Sequence, residues 1–197
     1  MSEIPQPTLL DYLGEVPDFR RKEGRRYPLP TLLVMIIMAI MSGRYGYREI
    51  ARFLEANQQQ LVKALDLKRA QMPSHVTIRT VMMALDFEAL NKAFESWVVA
   101  HVSADEKLWI AVDAKSIRST VQDYNNAYQD FVCLVSAFTH KEGLVLANKS
   151  YRNKERSEVH VAQALIPQLI EALGLKNVVF TLDALHCKKN ASNHSPE

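Results

Sequence analysis

Hydrophobic and polar residues follow different patterns in the two halves of the chain. From residue 32 to about residue 102, apolar residues recur at helical spacing. From about residue 108 onward, they form short runs of β-branched and aromatic residues separated by turn residues. The first half is therefore predicted to be helical and the second half to contain a sheet. A domain boundary is predicted at about residue 104, where charged residues follow.

Several helices are predicted in the first half. The apolar run Leu32–Met41 is too short to cross a bilayer and lies too far from the N-terminus for a signal peptide, so a buried helix is predicted, with Thr31 as N-cap and Gly43 as its stop. Amphipathic spacing and cap residues predict further helices at Tyr47–Ala56, at Leu61–Leu67, after the cap residue Ser74, and at Phe87–Val102. The stretch from Tyr47 to Leu65 is compatible with a helix-turn-helix or with a plain bundle.

The second half is predicted to hold four strands and one crossover helix. The strands are predicted at Leu108–Val112, Asp130–Phe138, Leu144–Ala147 and Val178–Leu182, and the helix at Glu158–Leu173. A strand reached through a helix usually pairs in parallel with an earlier strand, which predicts a mixed sheet. The predicted fold class is α+β, with a helical domain over residues 1–104 and a sheet domain over residues 105–197.

Two aspartates directly follow predicted strands, Asp113 after the first and Asp183 after the fourth. Carboxylates that neighbouring strands hold on a rigid frame are suitable ligands for Mg²⁺ or Mn²⁺ in phosphodiester chemistry. A single aspartate at a strand end is more often a turn former or a helix cap, so it is the pair that indicates a metal site. Lys115 and Arg118 flank Asp113 and are interpreted either as solvated charges or as phosphate contacts.

Composition adds few constraints. The chain has 197 residues, 48% of them hydrophobic, and a formal net charge of +2, so its overall charge neither favours nor excludes a polyanionic partner. Cys133 and Cys187 are too few for a disulfide framework or a thiolate metal site, which favours a reducing, cytoplasmic compartment. His186 and Cys187 lack partners at ligand spacing, so packing or surface roles are expected for them.

Positive charge is concentrated near the N-terminus. Five basic residues lie within seven positions, and a further arginine lies on a predicted helix: Arg20, Arg21, Lys22, Arg25, Arg26 and Arg48. Such a cluster is either a solvated loop or a surface that contacts the phosphates of DNA.

Six separated blocks carry a family resemblance, in order along nearly the whole chain. They are residues 18–30, 47–51, 111–118, 134–138, 153–158 and 181–187. Together they resemble the H-repeat-associated insertion-sequence transposases, a bacterial DDE family. The resemblance implies a helical DNA-binding region and an RNase H-like core in which Asp, Asp and Glu hold Mg²⁺, with Asp113 and Asp183 at the two Asp positions. The implied partners are DNA, full-length transposase or a second copy, with no membrane, at the bacterial nucleoid.

Two departures from the family pattern bear on activity. Ala114 stands where the family usually has glycine after the first Asp. The third acid is expected on a helix well past Asp183, and neither Glu197 nor the earlier Glu155 and Glu158 takes its place. The chain is therefore predicted to be a truncated DNA transposase. The alternatives are a catalytically dead remnant that binds DNA or full-length transposase, and a helical protein-interaction module with a partial core.

Overall fold

The structure, a computed structural model, describes residues 7–101, 108–122, 129–141, 143–173 and 177–183. It divides into two compact units, one ending at Trp97 and the other beginning at Val98. Each unit is described by itself below. The predicted boundary at residue 104 lies outside the described residues, as do the predicted helix stop Gly174 and the pair His186 and Cys187.

The first unit is helical, as its apolar spacing predicts. Its helices are α1 Leu9–Leu13, a 3-10 helix at Lys22–Gly24, α2 Leu29–Met41, α3 Tyr47–Ala56, α4 Gln58–Ala64, α5 His75–Ala84 and α6 Phe87–His101, the last of which continues past the division. Ser74 caps α5 as predicted, because its hydroxyl oxygen accepts a hydrogen bond from the backbone N–H of Thr77 at 3.3 Å. Gly43, at a φ of 77°, ends α2 as predicted.

The predicted N-cap of α2 is wrong. The helix begins at Leu29 with Pro28 in the cap position, and Thr31 lies inside the helix and is buried. Proline is tolerated in the first helical turn because the N–H groups there have no intrahelical acceptor, so Pro30 does not prevent the earlier start.

One hydrophobic core joins the helices of the first unit. Six apolar residues of α2 are buried in it, together with Ile50 and Leu54 of α3 and Ile78 and Val81 of α5. Helices α3 and α4 are separated by Asn57 alone, which is shorter than the three- or four-residue turn of a helix-turn-helix. Helix α3 packs against α2 and α5 as well as α4. In the described part of the chain, no helix is long and apolar enough to span a membrane.

The second unit contains a mixed sheet, which confirms the predicted α+β class. Its elements are β1 Leu108–Gln122, β2 Asp130–Thr139, β3 Val145–Arg152, α7 Glu158–Leu173 and β4 Val178–Leu182. The strand order is β3-β2-β1-β4, with β4 parallel to β1 and the other pairs antiparallel. Strand β1 runs to Gln122, well past the predicted end at Val112, because its polar second part pairs with β2.

Burial alternates along the strands and separates the two faces of the sheet. Cys133, Val135 and Ala137 of β2 are buried, while the residues between them are half-buried. Helix α7 packs against β2 and β3 and buries Val161, Ala162, Leu165 and Leu169. Buried Val112 pairs with Ala137 and shares this covered face, so the next residue, Asp113, lies on the opposite face.

Candidate metal centre and nucleic-acid interface

Strand pairing brings Asp113 and Asp183 to one edge of the sheet. Strands β1 and β4 are parallel neighbours, and Leu182, the last residue of β4, pairs with Val112. Asp113 and Asp183 are the next residues after this pair, with Asp113 still inside β1 and Asp183 just past the end of β4. The same register continued by one residue would place both carboxylates on the face of the sheet opposite to the one that α7 covers.

A side-chain contact holds β4 close to this edge. The ring nitrogen Nε2 of His140 lies 2.9 Å from the hydroxyl oxygen of Thr181, two residues before Asp183. The backbone N–H of His140 donates to the carbonyl of Trp109, which lies on β1. His140 therefore connects the end of β2 to both parallel strands and fixes the position of the residues that precede the aspartates.

Lys115 lies on the same face as Asp113, two residues further along β1. Its ammonium nitrogen is 2.7 Å from Oδ2 of Asp113, and the two side chains are 79% and 45% exposed. The hydrogen bond to Asp113 and the charge of that carboxylate raise the pKa of Lys115, and Glu158 adds to the increase. Asp113 thus already attracts one cation in this structure. Arg118 is exposed and lies five residues after Asp113 on β1. Side chains that are an odd number of residues apart on a strand point to opposite faces, so Arg118 points away from Asp113.

The chemistry of the two aspartates fits a hard divalent cation. Mg²⁺ and Mn²⁺ prefer carboxylate oxygens and keep several water ligands, so two adjacent carboxylates on rigid strands are a suitable partial ligand set. Among the described residues, no group of three or more His, Cys, Asp or Glu side chains could hold a metal ion. Asp113 and Asp183 would therefore hold the ion with water or with ligands from elsewhere.

The basic cluster lies in a loop of the first unit, residues 18–27, called the basic loop below. Arg20 is not available at its surface, because its side chain is only 7% exposed. Its Nε and Nη2 atoms donate to the two carboxylate oxygens of Asp18 at 2.8 and 2.9 Å, and Nη2 also donates to the carbonyl of Tyr27. The Arg20 hydrogen bond lowers the pKa of Asp18.

Arg25 has a similar internal role. It donates to the carbonyls of Arg20 and Asp18 at 2.8 and 2.9 Å. By contrast, the side chains of three basic residues of the loop are exposed to solvent: Arg21, Lys22 and Arg26. Arg48 is also exposed, at the start of α3. The predicted cluster is therefore divided into cations that shape the loop and cations that face solvent.

Sequence reasoning did not identify several residues that organise these sites. Asp18 lies two residues before the basic run and Glu23 lies within it, so acids able to pair with the cluster are visible in the sequence. Tyr27 is buried, and its hydroxyl donates to the carbonyl of Gln71, which joins the basic loop to the segment before α5. The sequence did not indicate a role for His140, because its contact with Thr181 depends on the order of the strands in the sheet.

Comparison with known proteins relates the chain to bacterial transposases. Residues 10–98 match the family model described as DDE_Tnp_1-associated. Over 182 residues, which is 92% of this chain, the sequence is 27% identical to the "H repeat-associated putative transposase YhhI" of Escherichia coli K12. The chain is therefore similar to H repeat-associated putative transposases over most of its length.

Other relatives match a similar length of the chain. The "Putative transposase YncI" of Escherichia coli O157:H7 is 29% identical over 187 residues, or 94% of this chain. The "H repeat-associated putative transposase YbfD" of strain K12 is 26% identical over 182 residues. The aligned region covers 46% of YhhI and of this YncI and 69% of YbfD, so the chain spans about half the length of the first two. No solved structure matches the chain.

Proposed function

We propose that the chain is the DNA-binding and partial catalytic portion of a DNA transposase that nicks DNA and transfers strands during movement of an insertion sequence. The observation that carries the proposal is the register of β1 and β4, in which the residues directly before Asp113 and Asp183, Val112 and Leu182, are paired. The crossover helix α7 returns the chain to β1 and makes this pairing possible. The similarity to putative transposases supports the same chemistry.

We further propose that the sheet is the first part of an RNase H-like core. Three antiparallel strands followed by a helix and a parallel fourth strand beside the first, in the order β3-β2-β1-β4, support this assignment. Asp113 and Asp183 would hold Mg²⁺ or Mn²⁺, and their task is to bind the ion rather than to transfer protons. When bound, such an ion activates water or a 3′-hydroxyl and neutralises charge on the phosphate.

The proposed DNA contacts follow from exposure and charge. Arg21, Lys22, Arg26 and Arg48 are exposed cations of the helical unit and are proposed to contact the phosphates of bacterial nucleoid DNA in the cytoplasm. Arg20 and Arg25 are proposed to act indirectly, because they hold the basic loop in shape. Near the carboxylates, Lys115 is proposed to move from Asp113 to a DNA phosphate when a metal ion takes its place, and Arg118 to contact the backbone further away.

A second candidate function is DNA binding without cleavage. It is favoured by one observation, that the described residues offer no group of three metal-binding side chains. In this case the chain would bind DNA, or full-length transposase or a second copy of itself, and the aspartates would hold an ion weakly without strand cleavage. Both candidates predict a metal ion close to bound DNA, and they differ in whether Mg²⁺ produces nicks.

The proposal is tested by replacing Mg²⁺ with Fe²⁺ and adding peroxide and ascorbate to a complex with end-labelled duplex DNA. Iron held at the carboxylates generates hydroxyl radicals that cut DNA nearby, so this assay needs no complete catalytic site. We expect cuts confined to a few adjacent nucleotides, and their loss in Asp113→Asn and in Asp183→Asn. Glu155→Gln, an exposed acid in the turn after β3, is the matched control and should cut like the wild type.

Three outcomes separate the candidates. Localised cuts with Fe²⁺ and nicks with Mg²⁺ would establish the transposase chemistry. Localised cuts without Mg²⁺ nicking would favour the second candidate. Diffuse cutting that is the same in all four proteins would contradict a metal site at these aspartates and would overturn the proposed function.

A further inference from the structure

Helix α5 presents a solvent face of unusual composition. Six of its side chains are exposed, and the five that precede Ala84 fall on one side of the helix: His75, Val76, Arg79, Thr80 and Met83, called the α5 face below. Val76 and Met83 are 59% and 64% exposed although they are apolar. The helix contains no acidic residue. An acid-free face that mixes a central arginine with hydroxyl and apolar groups has the chemistry that reads base edges in the major groove of DNA.

The opposite side of α5 is fixed in the core. Ile78 is fully buried and Val81 is 1% exposed, and α5 packs against α3. Ser74 caps the first turn, so the helix has a defined start. The α5 face is therefore held on a rigid support. Helix α4, by comparison, is a shorter helix that also contacts α3.

The basic loop lies next to the beginning of α5. One cleft is lined by Arg26 and Tyr27 from the loop and by Pro73, Ser74 and Thr77 from the start of α5. The hydroxyl of Tyr27 donates to the carbonyl of Gln71, and both residues line this cleft. Glu23 also lines the cleft.

The segment before α5 brings more positive charge to the same place. Lys68 and Arg69 are exposed. Burial raises the pKa of Tyr27, and the charges of Arg26 and Arg69 oppose that shift. Gln58 donates to the carbonyl of Ala70 at 2.8 Å and holds this segment against α4. Cations thus flank the N-terminal end of the α5 face, where the phosphates beside a groove would lie.

We infer that the α5 face enters the major groove of duplex DNA and reads its bases, while Arg26 and Arg69 contact the flanking phosphates. The inference rests on the proposed DNA-binding function and adds the surface that gives sequence preference. In helix-turn-helix proteins, too, the residues that contact bases lie near the N-terminus of the helix that enters the groove. By this assignment Arg79 is the central base contact, and the basic loop supplies affinity without preference.

The test is selection of binding sites by the 197-residue chain from a library of randomised duplex DNA, followed by affinity measurements on selected and scrambled duplexes. We expect the wild type to enrich a consensus. Arg79→Ala should lose about tenfold of the preference for the selected duplex over the scrambled one, since a bidentate base contact typically contributes about that much discrimination. The triple variant Arg21→Ala, Lys22→Ala, Arg26→Ala should bind both duplexes more weakly and keep the preference.

Arg52→Ala is the matched control, because Arg52 is an exposed arginine on α3, the helix that packs against α5. It should keep the wild-type consensus. An unchanged preference in Arg79→Ala, an equal loss in Arg52→Ala, or the absence of any consensus from the wild type would overturn the inference while leaving the proposed DNA binding intact. Absence of all duplex binding at low salt would overturn both. All substituted side chains are exposed, and unchanged thermal unfolding verifies that each variant is folded.

Discussion

The basic loop and the carboxylate pair both concentrate charge, but they do so in opposite ways. In the loop, five cations are neighbours in sequence, and the structure separates them, since Arg20 and Arg25 bond inward and the other three face solvent. At the strand ends, parallel pairing of Val112 with Leu182 brings together the segments that precede two anions far apart in sequence. Proximity along the chain therefore did not indicate a common role for the five cations, whereas strand order makes a common role for the two aspartates testable.

This difference has a physical origin. A buried charge is costly unless it is paired, so a cluster of like charges in a folded loop tends to divide between internal ion pairs and solvent. Strand register is set by the hydrophobic pattern, because a shift of one residue would turn every buried side chain to the wrong face. Residues that follow the buried runs of β1 and β4 are consequently placed with precision.

The largest predicted effect tests whether the core of the sheet positions the carboxylates. Ile110 is fully buried and pairs with Phe180 of β4. Ile110→Ala should lower the free energy of unfolding by about 3 kcal/mol through lost burial and a cavity. Val145→Ala, at a 45% exposed residue of β3, should cost less than about 1 kcal/mol in the same denaturant titration. Equal losses would mean that the β1–β4 pair is not a packed core.

A second prediction tests the division of the basic cluster. Arg20→Ala leaves the half-buried Asp18 and the Tyr27 carbonyl without their donor, so it should destabilise the chain by about 2–3 kcal/mol. Arg21→Ala removes an exposed side chain and should change stability by less than about 0.5 kcal/mol. Urea unfolding of the two variants measures the difference, and similar values for both would show that the cluster is one solvated group.

A third prediction follows from the lowered pKa of Asp18. A carboxyl whose pKa is lower in the folded state contributes stability above its unfolded value, near 3.8, and loses that contribution as pH falls through the folded value. Between pH 5 and pH 2, the wild type should therefore lose more stability than Asp18→Asn does. Thermal unfolding across this range measures both proteins, and parallel curves would contradict the inward bonding of Arg20.

The smallest predicted effect concerns the cation that Asp113 already binds. Lys115 competes with a metal ion for that carboxylate, so Lys115→Ala should tighten Mn²⁺ binding about two- to fivefold, as expected for one nearby exposed charge. Isothermal titration with Mn²⁺ measures the change. Lys154→Ala, at an exposed lysine in the turn after β3, is the control and should leave the affinity unchanged. Weaker Mn²⁺ binding by Lys115→Ala would mean that Lys115 assists the metal.

Much of the fold could be predicted from the sequence, because periodicity reports which side of an element is buried. Helices α3 and α7 and strand β4 have the predicted bounds. Strand β1 was predicted too short, because residues past Asp113 carry no apolar alternation and become a strand only through pairing with β2. Helix α1 and the 3-10 helix were missed, since each spans about one turn and has no period to detect.

The site was predicted less evenly than the fold. The parallel pairing of the strand ends that precede Asp113 and Asp183 followed from one topological rule, that a crossover helix returns the chain parallel to an earlier strand. The inward bonding of Arg20 and the contact of His140 with Thr181 could not be predicted, because they depend on the path of a loop and on strand order. The α5 face was also hidden, since exposure around a helix depends on what packs against it.

The central claim is that Asp113 and Asp183 form one cation site. The most direct measurement is the Mn²⁺ affinity, from the electron paramagnetic resonance signal of free Mn²⁺, of the wild type, Asp113→Asn, Asp183→Asn and the double variant. If one ion contacts both carboxylates, each single substitution should weaken binding at least about tenfold, because even residues behind the direct ligands contribute that much in metal sites. The double variant should then be little weaker than either single variant. Single variants that keep the wild-type affinity, or losses that simply add in the double variant, would contradict a shared site.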